Sequence, residues 1–123
     1  MMRQKDSPLR VKSAAFSDRI IQLYNYLLTV KHEQIMSTQI YRSGTSIGAN
    51  ISESRFAQSE ADFISKLSIA LKEAGETEYW LERLHKCGHI TQKGFESLME
   101  DNTEIIKMLV SSINTMKKKT GKR

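Results

Sequence analysis

The chain predicts an all-α fold, an antiparallel up-down-up-down four-helix bundle, and three observations lead there. Four long stretches carry apolar residues at helical spacing, they are separated by short polar breaks, and turn-forming residues are scarce, with one proline and six glycines in 123 residues. An all-β chain would repeat such turn residues every ten or so positions. At 14.1 kDa the chain is long enough to bury a core as one domain without disulfides or metals.

The first helix is expected from about Ser13 to Lys31, where Phe16, Ile20, Leu23, Tyr24 and Leu27 line one face. A second is expected from about Ser37 to Phe56, with Ile40, Gly44, Ile47 and Ile51 in line. Ser59 reads as an N-cap with Asp62 completing a capping-box variant, and a third helix follows to about Lys86, with Gly88 as its stop. Along it Phe63, Leu67, Ala70, Leu71, Ala74 and Leu81 share a face, and Glu78 falls within the same stripe. Thr91 caps the fourth helix, whose apolar spacing runs from Phe95 to Met116. Short connections favour antiparallel neighbours. The expected organisation is a flexible basic tail at 1–12, the bundle at 13–116 and a second basic tail at 117–123.

Charge follows that division. The net charge of +5 splits into +3 over residues 1–12, −3 over 13–116 and +5 over 117–123. Basic ends on an acidic body suit a nucleic-acid backbone, where each phosphate contact releases counterions. No apolar run approaches the roughly 20 residues a membrane span needs. One cysteine, Cys87, cannot form an internal disulfide, and no signal-like segment opens the chain, so the cytoplasm is the expected compartment.

Within the second helix, Gly44 and Gly48 each cost about 1 kcal/mol relative to alanine, and their i, i+4 spacing points to close helix packing. A phosphate loop would need a preceding strand and a following Lys-Ser/Thr, both missing. Beside them Gln39, Ser43, Ser46, Asn50 and Glu53 form a polar line. Ser43, Ser46, Asn50, Glu53, Glu73 and Glu78 are expected to form a buried polar network joining helices two and three, with Lys66 and Glu76 flanking it. The alternative use of Glu53, Glu73 and Glu78 is a carboxylate pocket for catalysis. Against it, neither helix carries the Glu-x-x-His pair of bundle di-metal sites, and His85, Cys87 and His89 do not have zinc-ligand spacing. Cys87 reads as a buried or half-buried thiol. No metal, no cofactor and no enzymatic activity are expected. Phe56, Ile69, Tyr79 and Trp80 lie off the core lines and suit an oligomer interface.

Arg42, Ser43, Ser46, Ile47, Asn50, Ile51 and Glu53 spell Arg-Ser-x-x-Ser-Ile-x-x-Asn-Ile-x-Glu, and Lys66, Ala70, Lys72, Glu73, Glu76, Trp80 and Leu81 continue the pattern. In these residues the chain resembles the four-helix-bundle family named for proteins encoded in intervening sequences of bacterial 23S rRNA genes, over Phe16 to about Met116. Ser54 departs from the glycine many relatives carry after the glutamate, and suggests that the second helix continues to about Phe56. The resemblance implies a bundle that assembles as a ring of five, and no member-wide activity. A related bundle, the accessory protein of diversity-generating retroelements, is similar at the level of fold, which transfers no function. The leading expectation is a non-enzymatic, oligomeric scaffold that binds RNA or DNA, with Arg42, Arg55, Lys117, Lys118, Lys119, Lys122 and Arg123 on the phosphates. The alternative is a protein-interaction oligomer with no nucleic-acid partner.

Overall fold

The computed structural model describes residues 7–121 and contains four α-helices in up-down-up-down order: α1 Pro8–Thr29, α2 Ile35–Ser54, α3 Glu60–Lys86 and α4 Gln92–Thr120. Their buried positions follow alternating three- and four-residue steps: Ser13, Phe16, Ile20 and Leu27 on α1, and Leu67, Ala70, Ala74, Thr77, Leu81 and Leu84 on α3. On α2 the same steps run Ser37, Ile40, Gly44, Ile47, Ile51, Ser54, and α4 contributes Leu98, Asn102, Ile105, Leu109 and Ile113. That seven-residue repeat keeps one seam of each helix on the core, as in left-handed coiled-coil packing. Consecutive helices pack closely, and α1 against α4 closes the bundle least tightly.

Among the described residues three ion pairs cross the α1–α4 seam. Lys12 Nζ lies 2.6 Å from Glu104 and 3.4 Å from Asp101, and Arg19 Nη1 lies 2.7 Å from Asp101 Oδ2. Burial pushes the Asp101 carboxyl up, but the Arg19 and Lys12 hydrogen bonds and charges outweigh it and hold it below the usual aspartate value.

Helix boundaries differ from the expected ones for local reasons. α1 begins at Pro8, because Ser7 Oγ accepts from Arg10 N at 3.1 Å and the proline at the first helical position needs no N–H partner. Residues 8–12 are therefore bundle and not tail. α2 starts two residues early because Glu33 supplies the cap: its carboxylate accepts from the backbone N–H groups of Ile35, Met36 and Ser37 at 2.7–3.0 Å. Preceding it, His32 takes the left-handed φ of 55° that turns the chain. Burial pushes Glu33 up, yet the three backbone donors and the nearby His89 outweigh that and hold it below the usual value.

α2 ends at Ser54 rather than Phe56. Phe56 N and Ala57 N bond three residues back, to Glu53 O and Ser54 O, so the chain tightens and turns immediately after the seam. α3 opens as expected, with Asp62 N donating to Ser59 Oγ at 3.0 Å and Gln58 N to Asp62 Oδ2 at 3.1 Å. It closes in a Schellman motif: Gly88, at φ 80°, donates to His85 O, and His89 N donates to Leu84 O. α4 continues to Thr120, which makes Lys117, Lys118 and Lys119 its last turn instead of a detached tail. Three ammonium groups there oppose the negative end of the helix dipole.

Candidate functional site: the seam between α2 and α3 and the basic end of the bundle

Gly44 and Gly48 sit where α2 presses on α1. A Cβ on Gly44 would lie 2.8 and 2.9 Å from the Cγ atoms of Ile20, and one on Gly48 would lie 3.0 Å from Ser17 Oγ and 3.3 Å from the Ser13 carbonyl oxygen. The glycines are thus the close-approach positions of this helix pair.

On its other side α2 faces α3, and here the polar residues singled out in the sequence mostly pair with one another. Arg42 bridges two carboxylates one helical turn apart on α3: Nη1 lies 3.3 Å from Glu73 Oε1 and Nη2 bonds Glu76 Oε2. That oxygen also accepts from Trp80 Nε1 at 3.2 Å. The Arg42 hydrogen bond, with Trp80 in support, holds Glu76 below the usual glutamate value despite some burial. About three turns further along α2, Glu53 takes Lys66 at 3.2 Å.

Beneath this ion-paired surface lies a hydroxyl contact that the sequence did not single out. Thr77 and Ser43, both buried, approach to 2.9 Å between their oxygens, and Thr77 Oγ1 lies 2.8 Å from Glu73 O. Thr77 has one hydroxyl proton and its bond to the Glu73 carbonyl uses it, so Ser43 donates to Thr77. One buried amide joins the third pair of helices: Asn102 Nδ2 donates to Ala74 O at 3.0 Å, and its Oδ1 is enclosed without a partner. Asn102 stands on the apolar line of the fourth helix in the sequence, and repeat position would also find Thr77, which stands between Ala74 and Leu81 where an apolar residue belongs.

The expected network is therefore smaller and differently wired. Ser46 and Asn50 bond their own helix, Ser46 Oγ to Arg42 O at 2.6 Å and Asn50 Nδ2 to Ser46 O at 2.9 Å, and do not cross to α3. Glu78 is half-buried and makes no hydrogen bond or ion pair among the described residues, because the seven-residue repeat puts Thr77 at the core position. Glu53, Glu73 and Glu78 are not gathered: the first two are committed to different cations, and the hollows at the start of α1 and along α4 are lined by none of the three.

The basic residues divide likewise. Arg42 lies in the seam, held by two acids, and is not a free phosphate contact. Arg55, exposed, lies over the Phe56 ring at 4.8 Å, and lines a surface hollow together with Glu60, Phe63 and Met116. Lys117, Lys118 and Lys119 follow Met116 and are exposed, so α2 and α4 deliver their cations to one end, where α1 also begins. Lys122 and Arg123 lie outside the described residues.

Of the residues expected at an oligomer interface, Phe56, Tyr79 and Ile69 are exposed, at 70%, 52% and 39%. Trp80 is instead half-buried on the seam, edge-on to Tyr79. Cys87 is exposed, not buried, because it is the C-cap of α3. His85 stacks on Phe95 with centroids 4.3 Å apart. Among the described residues no cluster of three or more His, Cys, Asp or Glu side chains could hold a metal, and no helix is long and apolar enough to cross a membrane.

The sequence pattern of the 23S rRNA-intervening sequence proteins matches residues 5–111. The fold is similar, at a TM-score of 0.87 and 53% identity, to the crystal structure of a protein of unknown function from the S23 ribosomal protein family of Bacteroides thetaiotaomicron, with 92% of this chain and 99% of that one covered. No protein of curated function matches. The matched span takes in all of α1, α2 and α3, the seam they build and most of α4, and the chain belongs to the family of 23S rRNA-intervening sequence proteins.

Proposed function

We propose that the protein is a non-enzymatic, oligomeric scaffold that binds the phosphate backbone of RNA or DNA through the basic end of its bundle. The observation that carries this reading is the convergence of Arg55 and the exposed Lys117, Lys118 and Lys119 at the end where α1 starts. In sequence Lys122 and Arg123 follow after Thr120 and Gly121. Arg42 is left out, since its guanidinium is occupied.

The ring of five implied by the family supports the scaffold part, because it would repeat this end around an axis and multiply weak phosphate contacts. Phe56, Ile69 and Tyr79 are its candidate contacts. The test replaces Lys117, Lys118, Lys119, Lys122 and Arg123 with glutamine, which removes charge without shortening α4. If all five contact phosphates, the slope of log K against log salt falls by about 3.5 on single strands and about 4.5 on duplex DNA. An unchanged slope refutes the assignment.

A second reading, an interaction module for another protein, is favoured by the exposed apolar side chains, Ile35 at 77% and Phe56 at 70% among them. It predicts partner binding that is indifferent to the five glutamines.

A further inference from the structure

Arg10 is half-buried on the first turns of α1, and the described residues give it no carboxylate. Its Nη1 donates to Ser52 Oγ at 3.0 Å, its Nε is enclosed without an acceptor, and its Nη2 makes no hydrogen bond among the described residues. Arg19 and Arg42, by contrast, each sit on acids. The guanidinium thus holds one hydroxyl and, among the described residues, no anion.

Arg10 lines a hollow of about 350 Å³ at the end of the bundle, whose other walls include Leu9 from α1, Ile51 from α2, Phe63 from α3 and Met108 with Ser111 from α4. Helices α1 and α4 close least tightly on each other, and the hollow draws walls from both. Its volume falls in the range of small-molecule sites, which in bundles lie between helices. The lining is mainly apolar with one cation and a few hydroxyls. A dianion such as phosphate would find a single countercharge and nothing to set against the apolar walls, whereas a neutral ligand would leave Arg10 as it is.

We propose that this hollow binds a small monocarboxylate carrying an apolar chain or ring, with the carboxylate accepting from Arg10 and Ser111 and the apolar part lying against Leu9, Ile51, Phe63 and Met108. The site is separate from the Lys117–Lys119 turn and does not depend on nucleic-acid binding.

Octanoate, kept monomeric, is the probe, with octanol and octylamine as tail controls and inorganic phosphate as the control without a tail. Methyl NMR of the full chain reads the methionines, and Met108→Leu assigns the signal. The expected result is a saturable shift of the Met108 methyl by octanoate, with octanol at least about tenfold weaker and phosphate without effect, since a charge-assisted pair is worth that factor or more. Arg10→Gln should abolish the preference for octanoate over octanol, Arg10→Lys should retain part of it, and Ser111→Leu, at an exposed position, should fill the hollow and remove both. Equal binding of octanoate and octanol to the parent chain, or octanoate binding untouched by Ser111→Leu, overturns the proposal. So does a Met108 shift on raising protein concentration without ligand, which would seat a second copy there.

Discussion

Alanine at Gly44 and at Gly75 should move stability in opposite directions, although both glycines are in helix interiors. Each change removes the same backbone penalty, about 1 kcal/mol. At Gly75, on the outer face of α3, a new Cβ meets nothing within 4 Å, so the whole gain should appear as stabilisation. At Gly44 the Cβ would come within 2.8–2.9 Å of Ile20, whose side chain is fully buried and has no free volume to move into. Overpacking of that kind costs about 1–3 kcal/mol. Because the propensity gain cancels between the two variants, their difference isolates the clash, and Gly44→Ala should be about 1–3 kcal/mol less stable than Gly75→Ala in urea unfolding. In an Ile20→Ala background, where room has been made, Gly44→Ala should become favourable. Stabilisation of the parent by Gly44→Ala equal to that by Gly75→Ala would refute close packing of α1 on α2 at this point.

The hydroxyl pair of the seam gives a second test: Thr77→Val leaves the buried Ser43 hydroxyl with only a 3.5 Å contact to Ile40 O and should cost about 1–3 kcal/mol, while Ser43→Ala with Thr77→Val together should cost less than Thr77→Val alone. Urea unfolding of the single and double variants reads it. Glu33 gives a pH signature. Its folded value lies below its unfolded one, so its cap adds stability above the unfolded value near ~4.3 and loses it as pH falls through the folded value. Parent and Glu33→Gln should differ by about 1 kcal/mol at neutral pH, and the gap should close below pH ~4.3 in acid unfolding series.

The fold was legible because its signals are redundant. Caps at Ser59 and Thr91, the glycine stop at Gly88 and four apolar stripes agree with one another, and each was found in place. Boundaries were missed where a different kind of signal governs them. At the start of α1, Ser7 and Pro8 form a cap two turns before the apolar stripe begins, so periodicity alone places the helix late. Before α2 the cap is a glutamate reaching forward over three residues, a geometry no short sequence pattern announces. For the seam, sequence reasoning picks the right pair of helices and the wrong partners. Steps of 3.6 residues leave Thr77 and Glu78 nearly equivalent, and only the repeat set by Leu67, Ala70, Ala74, Leu81 and Leu84 separates the buried position from its neighbour.

That seam also bears on where function resides. Arg42, Glu73, Glu76 and Trp80 form one connected set, Glu53 and Lys66 another, and Ser43 meets Thr77 beneath them. The residues by which the family is recognised are thus largely spent on holding α2 to α3 in one register. Exposed ion pairs contribute only about 0.2–1 kcal/mol each, so their effect lies less in total stability than in disfavouring slipped pairings, in which Arg42 would leave two carboxylates and the buried hydroxyls would lose each other. A pattern consumed in this way identifies the fold without naming a ligand. A partner of the kind proposed would then have to use surfaces the seam leaves free: the lysine turn of α4 with Arg55, the exposed Phe56 and Tyr79, and the hollow beside Arg10. Under the proposed function, changing Arg42 should accordingly disturb register and stability while leaving the salt dependence of the proposed nucleic-acid binding alone, and changing the lysines should do the reverse.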